Sequence, residues 1–367
     1  MMLTALGLMS GTSLDGVDVA MIETDGKRVK SFGPSGYRAY TNHERGLLRQ
    51  ALAEAVNLSD RDARPGILRE AERAVTQAHA EAVAAFTAQH RITRENIDIV
   101  GFHGQTVLHR PAQKMTVQIG DATALAKAIH IPVMHDFRAA DVDAGGQGAP
   151  LVPVYHRALA QSLEREGPIV VVNIGGVSNI TYIDGTDVLI ACDTGPGNAL
   201  LDDYMFRKMG QPFDGEGRLA AQGAVDVPWV IRALEHPFFA LPPPKSLDRN
   251  DFASLTLREM PPADGAATLT AFTVEAIARI ATLLPNEPRS WIVAGGGARN
   301  FTMLRMLRER LAPATVESAN GLGWSADAIE AQAFGFLAAR GLKGLPLSYP
   351  ATTGVPFPMT GGVIARP

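Results

Sequence analysis

The chain has 367 residues, 46% of them hydrophobic and 20% charged, with a formal net charge of -4; this excludes a disordered, collagen-like or integral membrane protein and leaves no basic footprint for nucleic acid or anionic lipid. The length suits two domains of roughly 100–200 residues each. A single cysteine, Cys192, excludes intramolecular disulfides, cysteine zinc fingers and iron–sulfur clusters, and with a start that lacks the basic and long apolar regions of a signal peptide it sets the expectation of a cytoplasmic protein.

Leu3–Met9 reads as a buried strand, Ser10–Gly16 as a polar turn and Val17–Ile22 as a second strand, so the chain opens on a hairpin. Gly66–His90 carries Ile67, Ala71, Ala74, Ala78, Ala82 and Phe86 at helical spacing. A strand is expected at Asn96–Phe102, a short helix at Ala122–His130, a strand at Ile131–His135 and a loop at Asp141–Gly148. The pattern then restarts with a strongly apolar strand to Ile174, the turn Gly175–Ser178, and strands at Asn179–Ile183 and Val188–Cys192. Helices follow at Ala199–Met209, Ala266–Leu284, Asn300–Leu311 and Ser325–Arg340, with a strand at Ser290–Ala294. Each half opens with strand, glycine turn, strand, which predicts two related α/β domains with a cleft between them, residues 1–145 and 146–367, with a return of the C-terminal tail to the first left open.

Glycine, at 36 of 367 residues, exceeds the usual ~7%, and the excess is clustered. Gly11, Thr12, Ser13, Leu14, Asp15, Gly16, Val17 and Asp18 form a turn whose backbone N–H groups and hydroxyls suit a phosphate. Asp15 and Asp18 would repel that phosphate unless a magnesium, held mostly through water, intervened. An ordinary polar hairpin fits the same residues. Gly175 and Gly176 repeat the motif in the second half, and Gly295, Gly296 and Gly297 lead from a strand into a helix without Gly-x-Gly-x-x-Gly spacing, which argues against a dinucleotide site.

Asp193 stands at the carboxyl end of an apolar strand, before a glycine loop, where α/β proteins place ligand-binding groups; it reads as a general base or, like Asn198, simply as a cap. Counting ~100° per residue puts Glu330 on the apolar stripe with Ile329, Ala333, Phe334 and Leu337, where a carboxylate needs a partner or a ligand. His103 and Gln105 follow one strand and Arg138 another, the guanidinium suiting a carboxylate or phosphate. No His-Glu-x-x-His or similar spacing calls for zinc.

Taken together, Gly7–Gly16, Phe102–Thr106, Asp136–Arg138, Gly145–Val152, Asn173–Gly176, Asp193–Asn198, Pro244–Ser246 and Gly295–Gly297 resemble the anhydro-N-acetylmuramic acid kinase family from the first strand to the final helix. The resemblance implies an actin-like (ribonuclease H-like) sugar kinase and Hsp70 type fold, two duplicated domains closing on ATP. It also implies a role in bacterial peptidoglycan recycling: ATP and water convert 1,6-anhydro-N-acetylmuramic acid to N-acetylmuramic acid 6-phosphate and ADP.

Such a sugar has no free 6-hydroxyl, so the expected base, Asp193, activates water at the anomeric carbon while O6 takes the phosphoryl group. By similarity Glu330 assists at the sugar or the water, Arg138 holds the lactyl carboxylate, His103, Gln105 and Asn198 line the sugar site, and the segment Gly11–Asp18 binds ATP and magnesium. The implied partners are an amino sugar and ATP, with neither nucleic acid nor membrane, and a homodimer is left open. An actin-fold kinase of another sugar or a carboxylate, and a sensor without turnover, are the alternatives.

Overall fold

The computed structural model describes residues 1–11, 13–247, 251–252 and 254–367. The chain divides into two compact units, Met1–Leu163 with Ala328–Pro367, and Glu164–Asp327. In chain order the first unit holds strands β1 (Leu3–Met9), β2 (Gly16–Thr24) and β3 (Val29–Ala39), helices α1 (Asn42–Ala55) and α2 (Leu68–His90), and strand β4 (Ile99–Phe102). It continues with the hairpin β5 (Gln105–Arg110) and β6 (Met115–Ile119), α3 (Ala122–Ile129), β7 (Val133–His135), α4 (Ala139–Asp143) and α5 (Pro153–Gln161). The second unit holds β8 (Ile169–Ile174), β9 (Val177–Asp184), β10 (Val188–Pro196), α6 (Ala199–Met209), α7 (Val227–Ala233), α8 (Pro262–Arg279), β11 (Ser290–Ala294), α9 (Phe301–Leu311) and β12 (Thr315–Ser318). The chain then rejoins the first unit with α10 (Ile329–Leu342), α11 (Pro350–Thr353) and β13 (Val363–Ala365).

The main sheets repeat one plan. In the first unit the order is β13-β7-β4-β1-β2-β3, and in the second β10-β9-β8-β11-β12. Each is built from an antiparallel meander of three strands with two further strands added parallel to the first, and the first sheet carries β13 as a sixth strand antiparallel to β7. This is the duplicated actin-like, ribonuclease H-like α/β arrangement. Strands covered on both faces read as continuous apolar runs, and β8 and β11 do so, with every residue of β11 buried.

Several of the sequence boundaries move; among them, α4 runs to Asp143 where a loop was expected from Asp141, and β10 continues past Cys192 to Pro196. The division falls at 163/164 and 327/328, where 145/146 was expected, because α10 packs on β1, β2 and β4. The close approach depends on glycine: a Cβ at Gly7 would run into the carbonyl of Ala331, and one at Gly101 into that of Phe334. The helix expected from Ser325 begins at Ile329, after a 3-10 turn over Ala319–Leu322. Within the second unit, α8 packs against α6, α7, α9 and β10. Among the described residues, the one helical stretch long and apolar enough to cross a membrane is Pro262–Leu283, and it is 67% buried.

Candidate active site

Parallel strands bring their carboxyl ends to one edge of a sheet, and that edge is where ligands bind in open α/β sheets. In the second unit, β8 and β11 are parallel, and β10, two antiparallel steps away, runs the same way as β8. Their ends therefore deliver Asn173–Gly176, Gly295–Gly297 and Asp193–Asn198 to the same edge. The amide of Asn198 donates to the Gly175 carbonyl at 2.7 Å, that of Gly197 to the Gly176 carbonyl at 2.9 Å, and the Asn198 Nδ2 to the Ile174 carbonyl at 3.1 Å.

Side chains have no room at several of these positions. A Cβ at Gly197 would strike the Gly175 carbonyl, and one at Gly295, whose φ is +75°, would strike Asn173 Oδ1. Gly176 and Gly296 are exposed. Gly297 is buried with its Cα against Ile174, so its lack of a side chain serves packing. Beside these turns opens a pocket of about 220 Å³, lined by Asn198, Asp202, Asp214, Gly296, Arg299 and Asn300 among others. Asp214 is buried and accepts from the amides of Leu219 and Ala220 at 2.9 and 3.0 Å. The sequence reading missed Asp214; an Asp just before the glycines of Gly215–Gly217 was the available signal.

Asp193 sits at a bulge where β10 loses register with β9. Its Oδ2 accepts from the Leu247 amide at 2.7 Å, and its own amide donates to the Lys245 carbonyl at 2.9 Å. Burial pushes its carboxyl up to about 6, against the Leu247 hydrogen bond and the Lys245 ammonium, which lower it. The neighbouring Cys192 faces the apolar core, where burial pushes the thiol up to about 12. Lys245 is itself buried, its Nζ donating to the Phe238 carbonyl at 3.1 Å and lying 4.5 Å from the centre of the Phe238 ring.

The first unit repeats the delivery, since β1, β4 and β7 are mutually parallel. After β1, Ser13 Oγ donates to Asp15 Oδ1 at 2.7 Å, both residues are exposed, and Leu14 has a φ of 55°. Thr12 lies outside the described residues. The Val17 side chain is fully buried in the core. Alternation along β2 turns Val17 inward, so it could meet a phosphate through its main chain alone, while the half-buried Asp18 takes the other face. Among the described residues no group of three or more His, Cys, Asp or Glu could hold a metal ion.

After β4, Gln105 Nε2 donates to the Gly11 carbonyl at 3.0 Å and Ser10 Oγ to the Gly104 carbonyl at 3.0 Å, stapling the His103–Gln105 turn to the first one. After β7 comes Arg138. Its Nε and Nη2 lie 3.2 and 3.0 Å from His103 Nε2, and its Nη1 donates to the Gly148 carbonyl at 2.7 Å. The imidazole is neutral and accepts at Nε2, because burial and the Arg138 charge both hold its pKa well below the usual value. Burial brings Arg138 down to about 10, opposed by Glu330 and Asp141. Three bonds leave two of the five guanidinium N–H donors uncommitted.

Glu330 departs from the expected placement. Ile329, Ala333, Phe334 and Leu337 are buried, but Glu330 is exposed. It lies in the first turn of α10, where the helix has just left the turn at Asp327, at the end of the packed stripe. Desolvation still raises its carboxyl pKa, and Arg138 lowers it. The turn Gly11–Gly16, His103 and Gln105 thus come together, as do His103 and Arg138, and Arg138 and Glu330 feel each other's charge.

Comparison with known proteins bears on what these groups serve. The family model for anhydro-N-acetylmuramic acid kinase matches residues 3–367. The chain is 82% identical over 367 residues, covering 100% of both chains, to a protein of Bradyrhizobium diazoefficiens named anhydro-N-acetylmuramic acid kinase. It is 78% identical over 367 residues, again covering 100% of both, to one of the same name from Rhodopseudomonas palustris strain CGA009. Among solved structures it is similar to component A of the (R)-2-hydroxyglutaryl-CoA dehydratase of Acidaminococcus fermentans, with a TM-score of 0.46 and 11% identity over 92% of this chain and 99% of that one. With a match from the third residue to the last and such identity across the whole length, the chain belongs to the anhydro-N-acetylmuramic acid kinase family.

Proposed function

We propose that this kinase opens 1,6-anhydro-N-acetylmuramic acid with water while phosphorylating O6, giving N-acetylmuramic acid 6-phosphate and ADP, and so serves the recycling of cell-wall sugars. The observation that carries the reading is Asp193: a carboxylate at a strand end whose pKa of about 6 lets it hold a proton transiently near neutrality. Asp193 takes a proton from a water molecule as that water bonds to the anomeric carbon. The C1–O6 bond breaks, O6 bonds to the γ-phosphorus, and the bond from that phosphorus to the ADP oxygen breaks.

Other residues of this chain bind and orient. Arg138, with two donors uncommitted, takes the lactyl carboxylate as a bidentate partner, and His103 and Gln105 hold the turn beside it. Glu330, exposed and with a raised pKa, hydrogen-bonds the sugar or the attacking water. At Gly175, Gly176 and Gly296 no backbone crowds the place of a side chain, so their main chain stays open to ATP, while Gly295 and Gly297 are glycine because neighbouring residues fill that place. The pocket beside Asn198 and Gly296 takes the nucleoside end. In the first unit the 11–18 turn meets the phosphates.

Asp15 and Asp18, at the turn after β1 and the start of β2, are the residues that would hold a magnesium, mostly through water. Bound there, it would neutralise charge on the phosphates. ADP release should depend on the anhydro sugar. Brisk release with a plain hexose and none with the anhydro sugar would overturn the reading.

A further inference from the structure

Asp141, on α4, is 2% exposed, yet no part of the reaction uses it. Its carboxylate is fully engaged. Oδ1 accepts from the Gly148 amide at 2.6 Å, and Oδ2 accepts from the hydroxyls of Ser348 and, at 2.6 Å, Thr353. The main chain reinforces the clasp, since the Gln147 amide donates to the Thr353 carbonyl at 2.7 Å and the Gly146 amide to the Asp141 carbonyl at 2.9 Å. One carboxylate thereby fastens the loop after α4 to a segment some two hundred residues further along the chain.

Gly148 has a φ of +67°, and a Cβ there would meet the Val142 side chain at 2.6 Å. What the clasp holds is the carbonyl of Gly148, the acceptor for Arg138 Nη1 at 2.7 Å. A guanidinium is planar, so fixing one Nη1 hydrogen on Gly148 and the opposite edge on His103 fixes where its remaining donors point. Asp141 also bears on Arg138 as a charge, favouring the protonated guanidinium.

We propose that Asp141 is a positioning residue for the sugar carboxylate: through Gly148 it aims Arg138, and through Ser348 and Thr353 it ties that aim to the C-terminal segment. The proposal rests on the reading of Arg138 as the carboxylate's partner. The tenfold loss in kcat/KM expected from misaiming Arg138 corresponds to about 1.4 kcal/mol.

The test is a double-mutant cycle on kcat/KM for the anhydro sugar, using Asp141→Asn and Arg138→Ala. Asp141→Asn should lower kcat/KM about tenfold through KM of the sugar, leave KM of ATP in place, and have almost no further effect once Arg138 is alanine. Equal losses in both backgrounds, or matching rises in both KM values, would assign Asp141 a purely structural role and overturn the proposal. Should Asp141→Asn fail to fold, Thr353→Val removes a single donor at nearly constant volume and is read in the same cycle. If Arg138→Ala alone leaves kcat/KM for the sugar unchanged, the carboxylate reading fails and takes this proposal with it. Loss with Arg138→Ala but not with the Asp141 or Thr353 variant defeats this proposal alone.

Discussion

A carboxylate that takes a proton from water near neutrality needs its own pKa close to the working pH, and burial is the cheapest way to raise it. Asp193 is raised to about 6 by its surroundings, while the Leu247 amide and Lys245 keep it from rising further. The base form is the deprotonated one, so kcat/KM for the sugar should climb with pH through about 6 and fall away below it. Asp193→Asn keeps the shape of the side chain but not its basicity; turnover should drop about a thousandfold or more while nucleotide affinity and melting temperature hold. Near-normal turnover in that variant would remove the assignment. Asp193 was legible in the sequence because an apolar strand running into glycines marks a ligand edge. Asp141 was not, since the partners that give it meaning, Ser348 and Thr353, lie far along the chain. Helical phase does put Glu330 among Ile329, Ala333, Phe334 and Leu337; it is exposed because it lies in the first turn of α10, at the end of the packed stripe, which phase alone does not show.

Glycines show how elements set each other's positions. At Gly7 the obstacle to a side chain is the backbone of α10, which cannot rotate away, whereas Gly46 in α1 has nothing within 4 Å of its would-be Cβ. Gly7→Ala should therefore destabilise the fold by about 3 kcal/mol or prevent it, and Gly46→Ala should stabilise it by about 0.5–1 kcal/mol. Urea titration of the two variants reads both, and a neutral Gly7→Ala would contradict the close packing of α10 on β1. The opening hairpin and α2 were legible because their apolar periods are clean. Strand β3 escaped, since Phe32-Gly-Pro-Ser-Gly36 reads as a turn, and only pairing with β2 makes it a strand. The hairpin β5–β6 escaped for a similar reason: it forms its own two-stranded sheet, without the apolar run of a central strand.

At the scale of the whole molecule, the duplication read from two glycine-punctuated openings corresponds to one strand order used twice. What sequence could not supply was the path of the chain. A helix such as α10, apolar on nearly every side, carries no mark of which sheet it will cover, so a returning tail was legible as an option while the place of the second division, 327/328, came only from its packing on β1, β2 and β4. The central claim is that the kinase delivers water to carbon while delivering phosphate to O6. Mass spectrometry of product formed in heavy-oxygen water tests it most directly, with preformed unlabelled product in the same water as the control for exchange. The account requires one heavy oxygen at the anomeric position and none in the phosphate; a product free of label at the sugar, or labelled in its phosphate, would contradict it.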